Sequence, residues 1–339
     1  MRSDPKGLMQ KHLLAIAVIL TVGTGCDNVV WGGVSMELQA PPEPETDSAS
    51  APDSTSLVPD NVDGPILLAG ARDSLGIDFV LVGEALPDGV RPFPDPQFPE
   101  DVARLTTLTA PGVEWVLFSA GVRVGRLIVE SASQATAFCG QRPALRGVVE
   151  LVPEAADAQR FLAMPAEFGA TIRHAPFRPV EHDYDQRVAT LDIATEALRS
   201  LEARRPLSIL DARRDIQALQ LDDTAGETVA ATFMYEDDLE VGPPDGGGAY
   251  ALFILAQQRN GAVYDEAFSW YRAVDTEGKG APRYFDHLDW DGDGADEILL
   301  EVLGANRRWF AALDRDGGTW VRDYQDPCGS GSGSVADAN

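Results

Sequence analysis

Nine residues near the C-terminus constrain this chain most. Asp289-Trp290-Asp291-Gly292-Asp293-Gly294-Ala295-Asp296-Glu297 places carboxylates at loop positions 1, 3, 5 and 9 and runs directly into Ile298-Leu299-Leu300-Glu301-Val302. So dense an array of acids repels itself at close range unless a cation sits among them. Calcium takes six to eight hard oxygen ligands in flexible geometry, whereas magnesium prefers few protein ligands and strict octahedral geometry. The alternation lets the short side chains of Asp289, Asp291 and Asp293 converge on one ion. Gly294 permits the sharp turn, the Ala295 carbonyl supplies a backbone oxygen, and Glu297 closes the shell. An EF-hand is excluded: position 12 is Leu300, position 8 is Asp296, and a β-rich run follows instead of an exiting helix. The loop is therefore expected to join two strands of one sheet.

The surrounding sequence repeats. Leu252-Phe253-Ile254-Leu255 followed by Asn260-Gly261-Ala262-Val263-Tyr264 lies 57 positions before Trp309-Phe310-Ala311-Ala312 followed by Gly317-Gly318-Thr319-Trp320-Val321. Upstream of the first pair, Leu221 to Val229 is an acidic stretch leading into a strand, as Leu288 to Ile298 is upstream of the second. Each unit reads strand, acidic loop, strand and hairpin, with a period of about 60 residues that suits propeller-like blades. Asp289 to Leu300 resembles the calcium loop of FG-GAP (VCBS-type) repeats, found in integrin-like β-propellers and many bacterial surface proteins. The resemblance assigns Asp289, Asp291, Asp293 and Glu297 as side-chain ligands and Ala295 as the carbonyl ligand. The first unit departs from the pattern, with Thr224, Ala225 and Gly226 in place of alternating acids, so no ion is expected there.

The other end carries an address. Arg2, Lys6 and Lys11 precede ten residues, Leu13 to Val22, that are apolar but for Thr21. Ten helical residues reach only about half of the ~30 Å hydrocarbon core, which marks a signal segment and not a span. Gly23-Thr24-Gly25-Cys26 ends the run and resembles a bacterial lipoprotein lipobox, although Gly23 stands where that family usually has Leu. The resemblance implies cleavage before Cys26 and lipidation of its thiol. Residues 26–64 are rich in Pro, Ser and acidic side chains, with little to bury, and are expected to form a disordered tether. The whole chain carries 27 basic and 54 acidic side chains, a net charge of -27. That balance excludes nucleic acid as a partner, since phosphate binding needs a basic footprint.

With Cys26 assigned to lipid, Cys139 and Cys328 remain as an even pair in an exported protein, where a disulfide is favoured. Such a bridge closes about 190 residues, worth of order 4–5 kcal/mol in the chain-entropy account. Along the folded body the patterns are mixed. Ile77 to Val82, Trp115 to Ser119, Gly125 to Val129 and Arg146 to Val152 read as strands, with a hairpin across Ala120-Gly121. Pro87 to Pro99 reads as a loop, and Ala155 to Met164 as a short helix. Asp183 to Arg204 reads as an amphipathic helix on Val188, Leu191, Ala194, Leu198 and Leu201, stopped by Pro206.

Other chemistry is thin. Asp289-Trp290-Asp291-Gly292 also resembles the first motif of haloacid-dehalogenase-type phosphatases, but fewer than 50 residues follow it, too few for that fold. The sequence has no nucleophile elbow, Walker loop or paired zinc histidines. His174 and His182 lie near Asp183 and Asp185, a spacing more typical of an ordinary loop than of a site. Trp115, Trp270, Trp309 and Trp320 stand at strand spacing, usually core. The expected fold is mainly β with some α. FG-GAP/β-propeller-like units over 206–327 are joined by one amphipathic helix, 183–205, to a β-rich α+β portion over 65–182. The signal occupies 1–25 and a flexible tail 328–339. The expected function is a lipid-anchored, non-catalytic binding or scaffold module of the bacterial cell envelope. It holds one structural calcium and meets the membrane through its N-terminal lipid and a protein or glycan ligand through its body. A cell-envelope hydrolase with catalytic residues drawn from separate strands is the competing reading.

Overall fold

The longest apolar runs of the second half do not alternate. Ala251 to Ala256, Ile298 to Leu300 and Trp309 to Leu313 are each uninterrupted. A strand of that kind needs cover on both faces. The computed structural model describes residues 64–329, apart from 74–75, 96–97, 141, 170–171, 173–174, 180 and 222–225. The described residues fall within one compact unit, Pro59–Asn339.

Seven strands come first: β1 (Ile66–Asp73), β2 (Gly76–Leu86), β3 (Gly89–Arg91), β4 (Glu114–Ser119), β5 (Val122–Ala135), β6 (Arg142–Leu151) and β7 (Arg160–Pro165). Their order is β1-β7-β4-β5-β6-β2-β3, and β1 also pairs with β2. Six antiparallel strands thus close on themselves, and β3 extends one edge of β2. Closure removes the free edges that would otherwise invite pairing with another chain. Ile66, Leu68, Phe79, Leu81, Trp115, Leu117, Phe161 and Ala163 pack together on one side of these strands. Their sequence neighbours Leu67, Val80, Val82, Val116, Phe118, Leu162 and Met164 pack on the other. The two-residue alternation of strand side chains makes this division. α1 (Pro99–Leu108) and α2 (Ala166–Gly169) are short accessories.

Two four-stranded antiparallel sheets follow. β8 (Arg213–Leu219), β9 (Thr228–Tyr235), β10 (Tyr250–Asn260) and β11 (Val263–Ala273) form one; β12 (Gly280–Leu288), β13 (Glu297–Gly304), β14 (Arg308–Asp316) and β15 (Thr319–Gln325) form the other. Each is a meander with strands in sequence order, so the two units detected as a repeat are folded alike. Leu219, Ala230, Phe253, Leu255 and Trp270 of the first sheet share a core with Ile298, Leu300, Val302, Ala311, Leu313 and Trp320 of the second. The opposite face of the second sheet, with Phe285, Leu288, Leu299, Phe310, Ala312 and Tyr324, packs on the outside of the barrel. The opposite face of the first sheet, with Ala231, Phe233, Leu252 and Ile254, is covered by α3 (Tyr184–Ser200). The layers run barrel, sheet, sheet, helix, and both sheets are covered twice. α4 (Ile209–Ala212) and α5 (Val274–Glu277) are single turns beside the first sheet.

Three expectations need correction. Ala155 to Met164 is not a helix: it holds a short turn and most of β7, whose Phe161 and Leu162 serve opposite cores. Pro87 to Pro99, read as a loop, holds the short strand β3 and ends on the first residue of α1. In α3 the buried stripe is Gln186, Thr190, Ala194, Ala197 and Leu198, while Val188 and Leu201 are exposed. Small residues let the helix lie close on the sheet. Its end is not set by Pro206: Glu202 takes φ 52, and the Ala203 amide donates to the Leu198 carbonyl, a Schellman closure.

Candidate metal centre

β12 and β13 are adjacent antiparallel strands, and Leu288 pairs with Glu297 at their open end. The eight residues between them must turn within that gap. Gly292 and Gly294 make this possible with φ of 83 and 94, a region that side chains with a Cβ rarely enter. The aspartates fold the loop onto themselves. Asp289 accepts from the Gly292 amide at 2.8 Å, Asp291 from Asp293 at 3.0 Å, and Asp293 from Ala295 at 2.7 Å. Trp290 turns inward and joins the core shared with the barrel, which anchors the loop. Its amide donates to Glu297 Oε2 at 2.9 Å.

The result gathers four carboxylates. One oxygen each from Asp289, Asp291, Asp293 and Glu297 lies within 4.8 Å of the others. These are the four acids named from the sequence. Glu297 is only 2% exposed, and its Oε1 has no hydrogen-bond partner. Burial pushes the Glu297 carboxyl up to about 10, with the charges of Asp291, Asp314 and Asp289 adding to it. Asp289 and Asp291 are raised too, first by burial and then by acidic neighbours. Among the described residues no salt bridge to these four acids is seen, and Arg283 and Arg308 are both engaged by Glu301. An orphaned, buried carboxylate oxygen beside three converging aspartates fits a cation. The cluster could hold a metal ion; the acids alone do not fix which.

Other candidates are placed differently. Cys26 lies outside the described residues, as do His174 and the side chain of Cys328. Cys139 is disulfide-bonded, and it lines a cleft together with Phe93, Arg142, Asp326 and Pro327. Pro327, which precedes Cys328 in the chain, thus lines the same cleft as Cys139. His182 is half-buried, and its neighbour Asp183 is occupied in capping α3. Trp115 is in the barrel interior, and Trp270, Trp309 and Trp320 lie between the two sheets. All four are core, not a binding face.

Residue spacing concealed a second polar centre. Tyr284, Asp286 and His287 are buried on β12. The Tyr284 hydroxyl lies 2.7 Å from His287 Nδ1 and 3.3 Å from Asp286 Oδ1. The Ala120-Gly121 turn between β4 and β5 closes over them. Ala120 donates its amide to Asp286 at 2.8 Å, and a Cβ on Gly121 would lie 2.9 Å from His287 Nε2. Burial raises Asp286 to about 7. A tyrosine, a histidine and an acid are suited to proton transfer, but the turn leaves no room for a substrate. A buried Lys279–Asp237 pair at 2.7 Å also escaped notice, because its partners are far apart in sequence.

Comparison of the chain with protein-family models, with curated proteins and with solved structures finds no match.

Proposed function

We propose that the protein is a lipid-anchored, exported module of the bacterial cell envelope that binds a partner without catalysis and uses one calcium ion as a structural brace. The observation that carries this reading is the Glu297 carboxylate, buried, unpartnered at Oε1 and set among three aspartates. Calcium would be held by Asp289, Asp291, Asp293 and Glu297, with the Ala295 carbonyl beside them. When bound, it supplies positive charge and fixed coordination to a loop that otherwise concentrates negative charge. The loop would then hold the open ends of β12 and β13 together. The two meanders are shaped like propeller blades, which supports kinship with FG-GAP repeats. The Cys26 lipobox and the acidic tether support anchoring, and the cleft at Cys139 supports its pairing with Cys328.

The hydrolase reading is weaker. Its best constellation, Tyr284 with Asp286 and His287, is sealed under the Ala120-Gly121 turn. A partner protein or glycan would meet the outer surface instead.

Calcium titration followed by thermal melting tests the metal. The midpoint should rise with calcium by several degrees, and Asp291→Ala should abolish the rise. A parent protein whose midpoint is indifferent to calcium would refute the brace.

A further inference from the structure

We infer that Asp314, on β14, is a fifth carboxylate of this cation site, reaching the ion through a bridging water from the neighbouring strand; the inference rests on the calcium reading above. The loop offers four carboxylates and one carbonyl, whereas calcium takes six to eight oxygens, commonly including water-mediated ones. The shell therefore has room for an outer ligand. Sheet register supplies one. β13 and β14 are antiparallel with Ile298 opposite Leu313 and Leu299 opposite Ala312. One step further along the two strands, just past the last paired residues, stand Glu297 and Asp314. Leu299 and Ala312, two positions from each, share one core, so the side chains of Glu297 and Asp314 leave the sheet on the same side.

Directly opposed residues on one face of such a pair have Cβ atoms about 4.5–5.5 Å apart, and like charges there are destabilising. Asp314 is half-buried, and its carboxylate accepts from the Arg315 amide. It is not one of the four acids gathered within 4.8 Å, which fits an outer position. An isolated loop would need no acid on the next strand; here the two acids make sense if a cation lies between them. Such an ion would tie the β12–β13 turn to β14 and not only close the loop on itself.

The test uses Asp314→Asn in the full chain, with calcium binding measured by titration calorimetry and the calcium-free fold by melting in chelator. Asp316→Asn, at the exposed end of the same strand, is the control. We expect Asp314→Asn to weaken calcium at least about tenfold, with a chelator midpoint no lower than the parent's. Asp316→Asn should bind as the parent does. Should the asparagine variant fail to fold, Asp314→Ser is measured in its place. Binding by Asp314→Asn within about twofold of the parent overturns this inference and leaves the loop site standing. A parent that takes up no calcium overturns both.

Discussion

Asp286 lies on the strand that leads into the acidic loop, and its carboxyl is raised to about 7 chiefly by burial. In the unfolded chain an aspartate titrates near 3.9. Between these values the folded protein holds the extra proton. Stability is then fully present below about pH 4 and is lost as pH rises towards 7. Asp286→Asn keeps an oxygen to accept from the Ala120 and His287 amides and removes the titration. In chelator, the variant should gain on the parent by several degrees between pH 5 and pH 8; melting curves that stay parallel across that range would refute the assignment. The loop acids were legible in the sequence because their ligand pattern is local. Asp286 was not, because its burial depends on a turn 166 positions away.

At the scale of elements, α3 illustrates both success and failure of pattern. Asp183 accepts from the Gln186 amide at 2.8 Å, and Gln186 Oε1 accepts from the Asp183 amide at 2.7 Å, a complete capping box. Gln186 Nε2 also donates to Glu227 at 2.8 Å, which ties the helix start to the residue before β9. Asp183→Ala should cost about 1 kcal/mol, a fall of about 2–4 °C in a domain of this size by calorimetry; an unchanged midpoint would mean that the cap is idle. The acidic start of the helix was readable, and its buried face was readable at Ala194 and Leu198 but not at Gln186, Thr190 and Ala197. Periodicity favoured Val188 and Leu201, whereas close approach to the sheet favoured Thr190, Ala194 and Ala197. β7 failed for a related reason: with apolar residues serving two cores, its alternation vanished.

At the scale of the molecule, four layers share three cores. The barrel and the β12–β15 sheet meet through one of them, so the loop is anchored by Trp290 on a surface built from both halves. Cys139 belongs to the connection between β5 and β6, and its amide donates to the Arg308 carbonyl of β14 at 3.0 Å. Its disulfide with Cys328, as proposed, would fasten the C-terminal end there as well. Mass analysis of protein isolated from the envelope should give a mature chain beginning at a diacylated Cys26, and a non-reducing digest should give a peptide joining Cys139 to Cys328. An unmodified residue 26 would end the lipoprotein reading, and a Cys139 peptide linked elsewhere would end the pairing.

By itself the sequence determined the four-acid loop, its place between two strands, and the duplication of the four-stranded unit. Each depends on residues close together in the chain, where spacing fixes geometry. Only the tertiary structure decided that six of the first seven strands close into a barrel, that the two meanders stack face to face, and that Glu297 is buried. Those outcomes depend on which strands pair across long separations. Cross-strand register, not local propensity, then sets which charges meet and whether water reaches them.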